Sequence, residues 1–212
     1  MRRRWLGLVI AALAIGFSIW AYPQLPDRVP THWNFQGEPD DYSSRLFGAA
    51  LMPLVILGIT GIAQVLPRID PRSANYAKFI RVYWLMMNGI LLFMGVIHFA
   101  MLGNALGAPV NIARIVPIGV GLLFILLGNY FGRVEPNWFL GIRTPWTLSS
   151  DTVWRKTHRT GAWLFVIGGL LMIACAFLRK TAVYVVFGLT IGLVAVVPVV
   201  LSYVLWRREQ VR

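Results

Sequence analysis

The side chains able to do chemistry in this 212-residue chain fall into three groups. In the first, His32, Trp33 and Asn34 stand between Asp27 and the acidic cluster Glu38, Asp40 and Asp41. Imidazole and carboxylate oxygens can together hold a divalent cation, but this spacing matches no metal motif, and neither metal nor cofactor is expected. The acidic groups and aromatic rings suit a cationic or amphipathic ligand equally well. The ligand-binding candidates are Asp27, His32, Trp33, Asn34, Glu38 and Asp40; the competing reading is a rigid proline- and aromatic-rich lid.

The second group lies in residues 132–160: Asn137, Arg143, Thr144, Trp146, Trp154 and His158. One reading makes this segment an interfacial elbow, with Trp138, Trp146 and Trp154 in the headgroup layer and Arg155, Lys156 and Arg159 on lipid phosphates. Another makes it a docking surface or a gate. A third is an enzyme centre where Asn137, Arg143, Asp151 and His158 converge on a phosphate or amide. A hydrolase needs a nucleophile with a base in reach or a metal constellation, and the chain has no HExxH, GxSxG or phosphate-cradling glycine loop. No catalytic residue is assigned.

The third group is intramembrane: Asn88, His98 and Asn129. Polar groups in lipid are costly and count as site candidates; here they are either packing residues or an internal path for a small molecule. Cys175 has no disulfide partner in the chain and reads as a small core hydrophobe.

The elements that must position these groups are membrane helices. The chain is 58% hydrophobic and 13% charged, too apolar for one soluble core. A spanning helix needs about 20 apolar residues, and six stretches qualify: Trp5–Tyr22, Leu46–Leu66, Val82–Gly103, Ile115–Phe131, Gly161–Leu178 and Ala182–Trp206. None holds Asp, Glu, Lys or Arg. The expected fold class is therefore all-α, a six-helix membrane bundle forming a single domain over residues 1–212. Its N-terminal module is about 1–66, with a loop at 23–45, and its C-terminal module about 112–206, with a loop at 132–160. The run after Arg2, Arg3 and Arg4 exceeds a signal-peptide core and lacks a small-residue cleavage site, so it is expected to be a retained anchor.

Net charge is +12. With both termini inside, fifteen of the twenty Lys and Arg fall on the cytoplasmic side and five outside. That bias sets the orientation and points to anionic lipid as the partner. No basic stripe suggests nucleic acid.

The connections are uneven. Residues 104–114 and the Arg179-Lys180-Thr181 turn are short, and Pro67–Arg81 is modest and basic. The 23–45 loop is expected outside, as a stiff polyproline-like path set by Pro23, Pro26 and Pro30, with a turn at Gln36–Pro39. In the cytoplasmic 132–160 loop, Ser150 or Asp151 is expected to start the helix that enters the fifth span.

Two motifs carry a family resemblance. Leu25-Pro26-Asp27-Arg28-Val29-Pro30-Thr31-His32-Trp33-Asn34, with Gly37 and Asp40, resembles the N-terminal module of the SdpI family. Gly132-Arg133, Pro136-Asn137, the run Gly141 to Leu148 (GIRTPWTL), Trp154, Thr157 and His158 resemble its C-terminal signature. The resemblance implies a multi-span bacterial membrane protein that confers resistance to a secreted peptide toxin, and a receptor that holds a small cytoplasmic repressor at the membrane. It supplies no catalytic residues.

Overall fold

The computed structural model describes residues 4–34, 36–178 and 181–211. Arg2, Arg3, Phe35, the Arg179-Lys180 part of the tight turn, and Arg212 lie outside the described residues.

Six helices are long and apolar enough to cross a membrane, and the chain is an all-α polytopic bundle. In order, it forms α1 (Leu6–Ala21), strands β1 (Arg28–Trp33) and β2 (Pro39–Ser44), then α2 (Arg45–Ile69), α3 (Tyr76–Ala105) and α4 (Ile112–Phe131). The short α5 (Pro145–Ser149) precedes α6 (Asp151–Cys175), and α7 (Thr181–Ile191) leads through a π-helical turn, Gly192–Val196, into α8 (Val197–Gln210). In hydrocarbon every backbone polar group must be satisfied internally, and a helix does so within its own segment. Their outward faces carry apolar side chains such as Leu13, Leu54, Trp163 and Leu189, all exposed on the surface that meets lipid.

Side-chain caps set the starts of several helices. The Phe47 N–H donates to Ser44 Oγ at 3.3 Å, Arg114 N–H to Asn111 Oδ1 at 3.2 Å, and Val153 N–H to Ser150 Oγ at 3.2 Å, each satisfying an orphan donor of a first turn. Ser150 is thus the cap of the helix that enters the fifth span. The π turn in the last span has a covalent cause. Pro198 has no N–H, and its ring would clash with the carbonyl four residues back, so the preceding turn widens.

The 23–45 segment departs from the expected polyproline-like path. Arg28–Trp33 and Pro39–Ser44 pair as an antiparallel ribbon, with Val29 opposite Ser43 and His32 opposite Asp41. Val29, Thr31 and Trp33 favour the pleated geometry. Pro30 removes a ladder donor, and the register slips just after it. Gly37, at φ +82°, makes the turn, a backbone conformation that glycine alone adopts freely.

Three buried clusters stack along the bundle. Ala21, Leu25, Val29, Ala49, Met101 and Leu102 close the ribbon end. Ile10, Ala11, Ala14, Ile56 and Leu91 join α1, α2 and α3 at mid-depth. Tyr76, Phe79, Tyr83, Trp84, Phe131, Val134 and Trp154 fill the opposite, basic end. The α4–α6 seam is held at backbone distance by glycines. A Cβ on Gly121 would stand 2.5 Å from Gly169 O, and one on Gly169 would stand 2.5 Å from Gly121 O, the close approach that small residues permit between membrane helices.

Candidate functional site

Two polar assemblies occupy opposite ends of the bundle. At the ribbon end, a cavity of about 980 Å³ opens between the ribbon and helices α3, α4, α6 and α7. Its walls are apolar: Ile97 and Met101 from α3, Val116 and Pro117 from α4, Met172 and Cys175 from α6, Phe187 from α7. Its rim is polar, made of His32, Asn34, Gln36 and Asp40 from the ribbon, Asn111 and Arg114 at the start of α4, and Tyr184.

The ribbon positions its own rim groups. His32 Nδ1 and Asp40 Oδ1 are 2.5 Å apart, so the ring is oriented by the carboxylate and Nε2 is the nitrogen left for another partner. Asn34 builds the turn: its Oδ1 accepts from Gln36 N and Glu38 N, each at 3.0 Å, and its Nδ2 donates to Glu38 Oε2 at 3.3 Å. The turn is then fixed to the helices, since Gln36 Nε2 donates to Tyr184 Oη at 3.3 Å and Gly37 rests on Ala113.

Of the six residues expected here, His32, Trp33, Asn34 and Asp40 line the cavity. Glu38 is engaged in the turn, while Asp27 sits at the far end of the ribbon, accepting from Arg45 at 2.7 Å. His32 meets Asp40 alone among the acidic candidates, and Asp41 turns its carboxylate to the Tyr42 N–H at 2.8 Å. Among the described residues no group of three or more His, Cys, Asp or Glu side chains gathers. Arg114, Asn111 and Tyr184 are rim residues that sequence reasoning missed; the first two open α4 and Tyr184 lies on α7, and only the fold brings them to the ribbon.

At the basic end, the 132–160 segment folds around Asn137, which is fully buried. Its Oδ1 accepts from Phe139 N at 2.9 Å and Leu140 N at 2.7 Å, and its Nδ2 donates to the Glu135 and Leu140 carbonyls, both at 2.9 Å. Beside it lies Asp70, 3% exposed, accepting from Tyr76 Oη at 3.0 Å, Trp138 N at 2.9 Å and Arg72 N at 2.7 Å. Three donors satisfy the carboxylate where water cannot.

Next to this knot, Ile142 N–H donates to His158 Nε2 at 2.9 Å while Nδ1 faces the Trp154 carbonyl, also at 2.9 Å. A backbone donor on Nε2 requires a lone pair there, so Nδ1 carries the proton and the ring is neutral. Gly141, at φ +115°, passes directly over that nitrogen, and any Cβ would land on it.

Thr144 caps α5 in a reciprocal box with Thr147, and its hydroxyl meets Ser202 Oγ of α8 at 2.9 Å. Trp146 packs on Tyr203 with ring centroids 5.0 Å apart.

The knot changes the reading of several residues. Trp154, expected in the headgroup layer, is buried; its indole N–H donates to Val134 O at 2.8 Å and its ring stacks on His158 at 4.1 Å. The internal hydrogen bond and the stack outweigh an interfacial seat. Asn137, Thr144 and His158 are buried too, whereas Arg143 is exposed and donates to Trp138 O at 2.9 Å. Asp151 pairs with Arg72 at 2.7 Å, so it does not face His158.

The intramembrane trio is dispersed. Ser18 Oγ donates to Ala49 O at 2.7 Å and lies 2.9 Å from His98 Nε2, so His98 donates there and ties α1, α2 and α3 together. Asn88 is buried on the same helix. Asn129 donates to Ile125 O of its own helix at 2.8 Å, and neither His98 nor Asn129 lines the ribbon-end cavity.

Known proteins match both halves. Residues 9–57, which include β1 and β2, match a domain of unknown function, DUF1648, and residues 133–202, which hold the knot and its contact with α8, match the SdpI/YfhL protein family. The chain is 27% identical over 203 residues to the immunity protein SdpI of Bacillus subtilis (strain 168), covering 96% of this chain and 95% of the relative. The likeness to the SdpI/YfhL family thus rests on residues 133–202 and on this end-to-end relative. An uncharacterized protein of Archaeoglobus fulgidus is 35% identical over 82 residues, which cover 35% of this chain and 44% of that protein. No solved structure matches. With six helices long and apolar enough to span, and similarity to SdpI along nearly its whole length, the chain is a multi-pass membrane protein.

Proposed function

We propose that this protein is a membrane immunity protein that intercepts a secreted, membrane-active peptide at the ribbon-end cavity. The observation that carries the reading is the cavity itself, with an apolar floor at membrane depth beneath a rim that includes His32, Asp40 and Arg114. An amphipathic peptide offers the matching surface, apolar side chains for the floor and polar groups for the rim. The positive-inside bias supports an outward-facing ribbon, where such a peptide arrives.

The test is survival of toxin-sensitive cells expressing the protein under challenge by the secreted peptide. Trp33→Ala and a His32→Ala, Asp40→Ala double variant are expected to reduce protection at least about ten-fold, the effect of losing about 1.4 kcal/mol of binding. Unchanged protection by properly inserted variants would refute the reading. Cys175 gives a second readout, because the chain's single cysteine lines the cavity. Bound peptide is expected to slow its reaction with a small maleimide.

The receptor half of the proposal rests on the last span, which touches both ends. Tyr184 accepts from Gln36 of the ribbon turn at 3.3 Å, and Ser202 meets Thr144 of the basic-end loop at 2.9 Å. A peptide that displaces Gln36 thereby acts on the helix that holds α5, and two states of that helix with different peptide affinity are what signalling requires. Ser202→Ala is expected to preserve protection while reducing peptide-dependent recruitment of a cytoplasmic repressor, read by fluorescence at the membrane. Full recruitment by this variant would rule the last span out as the transmitter.

A further inference from the structure

Asn129 has no role in either assembly, yet it is exposed on a membrane helix. It lines a shallow groove of about 410 Å³ with Leu122, Ile125, Leu126, Tyr130 and Arg133. The groove runs along α4 and ends at the basic end of the bundle. Arg133 stands over the Tyr130 ring at 5.4 Å and, among the described residues, forms no ion pair with a carboxylate. The Asn129 amide bonds its own helix through one N–H, which leaves its Oδ1 and second N–H without a hydrogen bond among the described residues.

An amide exposed to hydrocarbon is unfavourable unless a polar group meets it. Arg133 lies one turn further on, where a phosphate is the natural counter-charge. We infer that this groove seats one anionic phospholipid, its phosphate against Arg133, its glycerol-ester region against Asn129, and an acyl chain along Leu122, Ile125 and Leu126. Charge complementarity selects this occupant over a second copy of the chain, since another copy would bring Arg133 against an equally basic end.

The test is native mass spectrometry of the full-length protein exchanged into mixed micelles with equal phosphatidylglycerol and phosphatidylcholine. The native protein is expected to retain phosphatidylglycerol preferentially. Arg133→Gln is expected to lower that retention about five-fold, the effect of one basic side chain at an anionic surface. Asn129→Leu should lower it as well, by a smaller factor that added salt leaves unchanged. Arg159→Gln, which removes a basic residue of the same end outside the groove, should leave it within about two-fold. Thermal melting of each variant establishes that it is folded. Equal retention of the two lipids by the native protein, or native retention by Arg133→Gln, would overturn the assignment. So would a disulfide-linked dimer formed through Asn129→Cys in a Cys175→Ala background.

Discussion

Asn137→Ala is expected to cost at least about 3 kcal/mol of stability, since each buried polar group left without a partner costs roughly 1–3 kcal/mol. The side chain satisfies two N–H groups and two carbonyls of the segment that wraps it, and alanine replaces none of those bonds. Water cannot enter freely, because Asn137 is fully buried and the Tyr76 hydroxyl, bonded to the buried Asp70, lies 3.4 Å from its Oδ1. Arg143→Ala supplies the contrast within the same signature. It removes one hydrogen bond from an exposed guanidinium, and the expected change is within about 0.5 kcal/mol. Unfolding of both variants in mixed detergent micelles, followed by tryptophan fluorescence, compares them directly. Equal losses would mean that the knot is not what holds the basic end together.

Gly121→Ala should be comparably damaging for an entirely different reason. The added methyl would stand 2.5 Å from Gly169 O and 2.6 Å from Ile173 Cγ1. A backbone carbonyl in a helix cannot rotate aside, so α4 and α6 must separate along their shared seam. Overpacking of this kind costs typically about 1–3 kcal/mol and occasionally more. Gly16→Ala provides the control, since nothing lies within 4 Å of a Cβ at Gly16, and alanine is favoured over glycine in a helix interior by roughly 1 kcal/mol. Thermal melts in one detergent are expected to move in opposite directions for the two substitutions. A neutral Gly121→Ala would show that the seam has slack.

The six spans were legible because length and apolarity are dictated residue by residue through the cost of backbone and charge in lipid. The Ser150 cap was legible for the same local reason: a short oxygen-bearing side chain immediately before the helical run. The ribbon was not, since three prolines dominate the reading of residues 23–30 while strand pairing depends on a partner segment ten residues further on. The start of α3 at Tyr76 rather than Val82 was hidden for a related reason. Tyr76 and Phe79 bury against the knot, and a window that scores apolarity reports only the portion suited to lipid. Trp154 was misplaced because a tryptophan beside Arg155 and Lys156 has the local signature of an interface anchor; His158 is one helical turn away, but only the fold brings Val134 to the indole.

The candidate sites were legible in part. His32, Trp33, Asn34 and Asp40 do share one cavity, and the GIRTPWTL run does fold as a unit. What the chain order concealed was Asp70, an acid in an otherwise basic connection, and the rim residues Asn111, Arg114 and Tyr184. Each gains its role from neighbours distant in sequence. A lone carboxylate among arginines was the available signal for Asp70.

The widened turn at Gly192–Val196 sets the angular phase of everything after it. Each residue of an α-helix advances the side chains by about 100°, so a span passing Pro198 without that turn would aim α8 at different neighbours. Ser202 would then point away from Thr144, and Tyr203 away from Trp146. The proline and its accommodating loop of backbone therefore act as a clocking element: the lower half of the final helix is indexed by its count of residues, and a single insertion or deletion there would alter partner choice without changing any hydrophobicity.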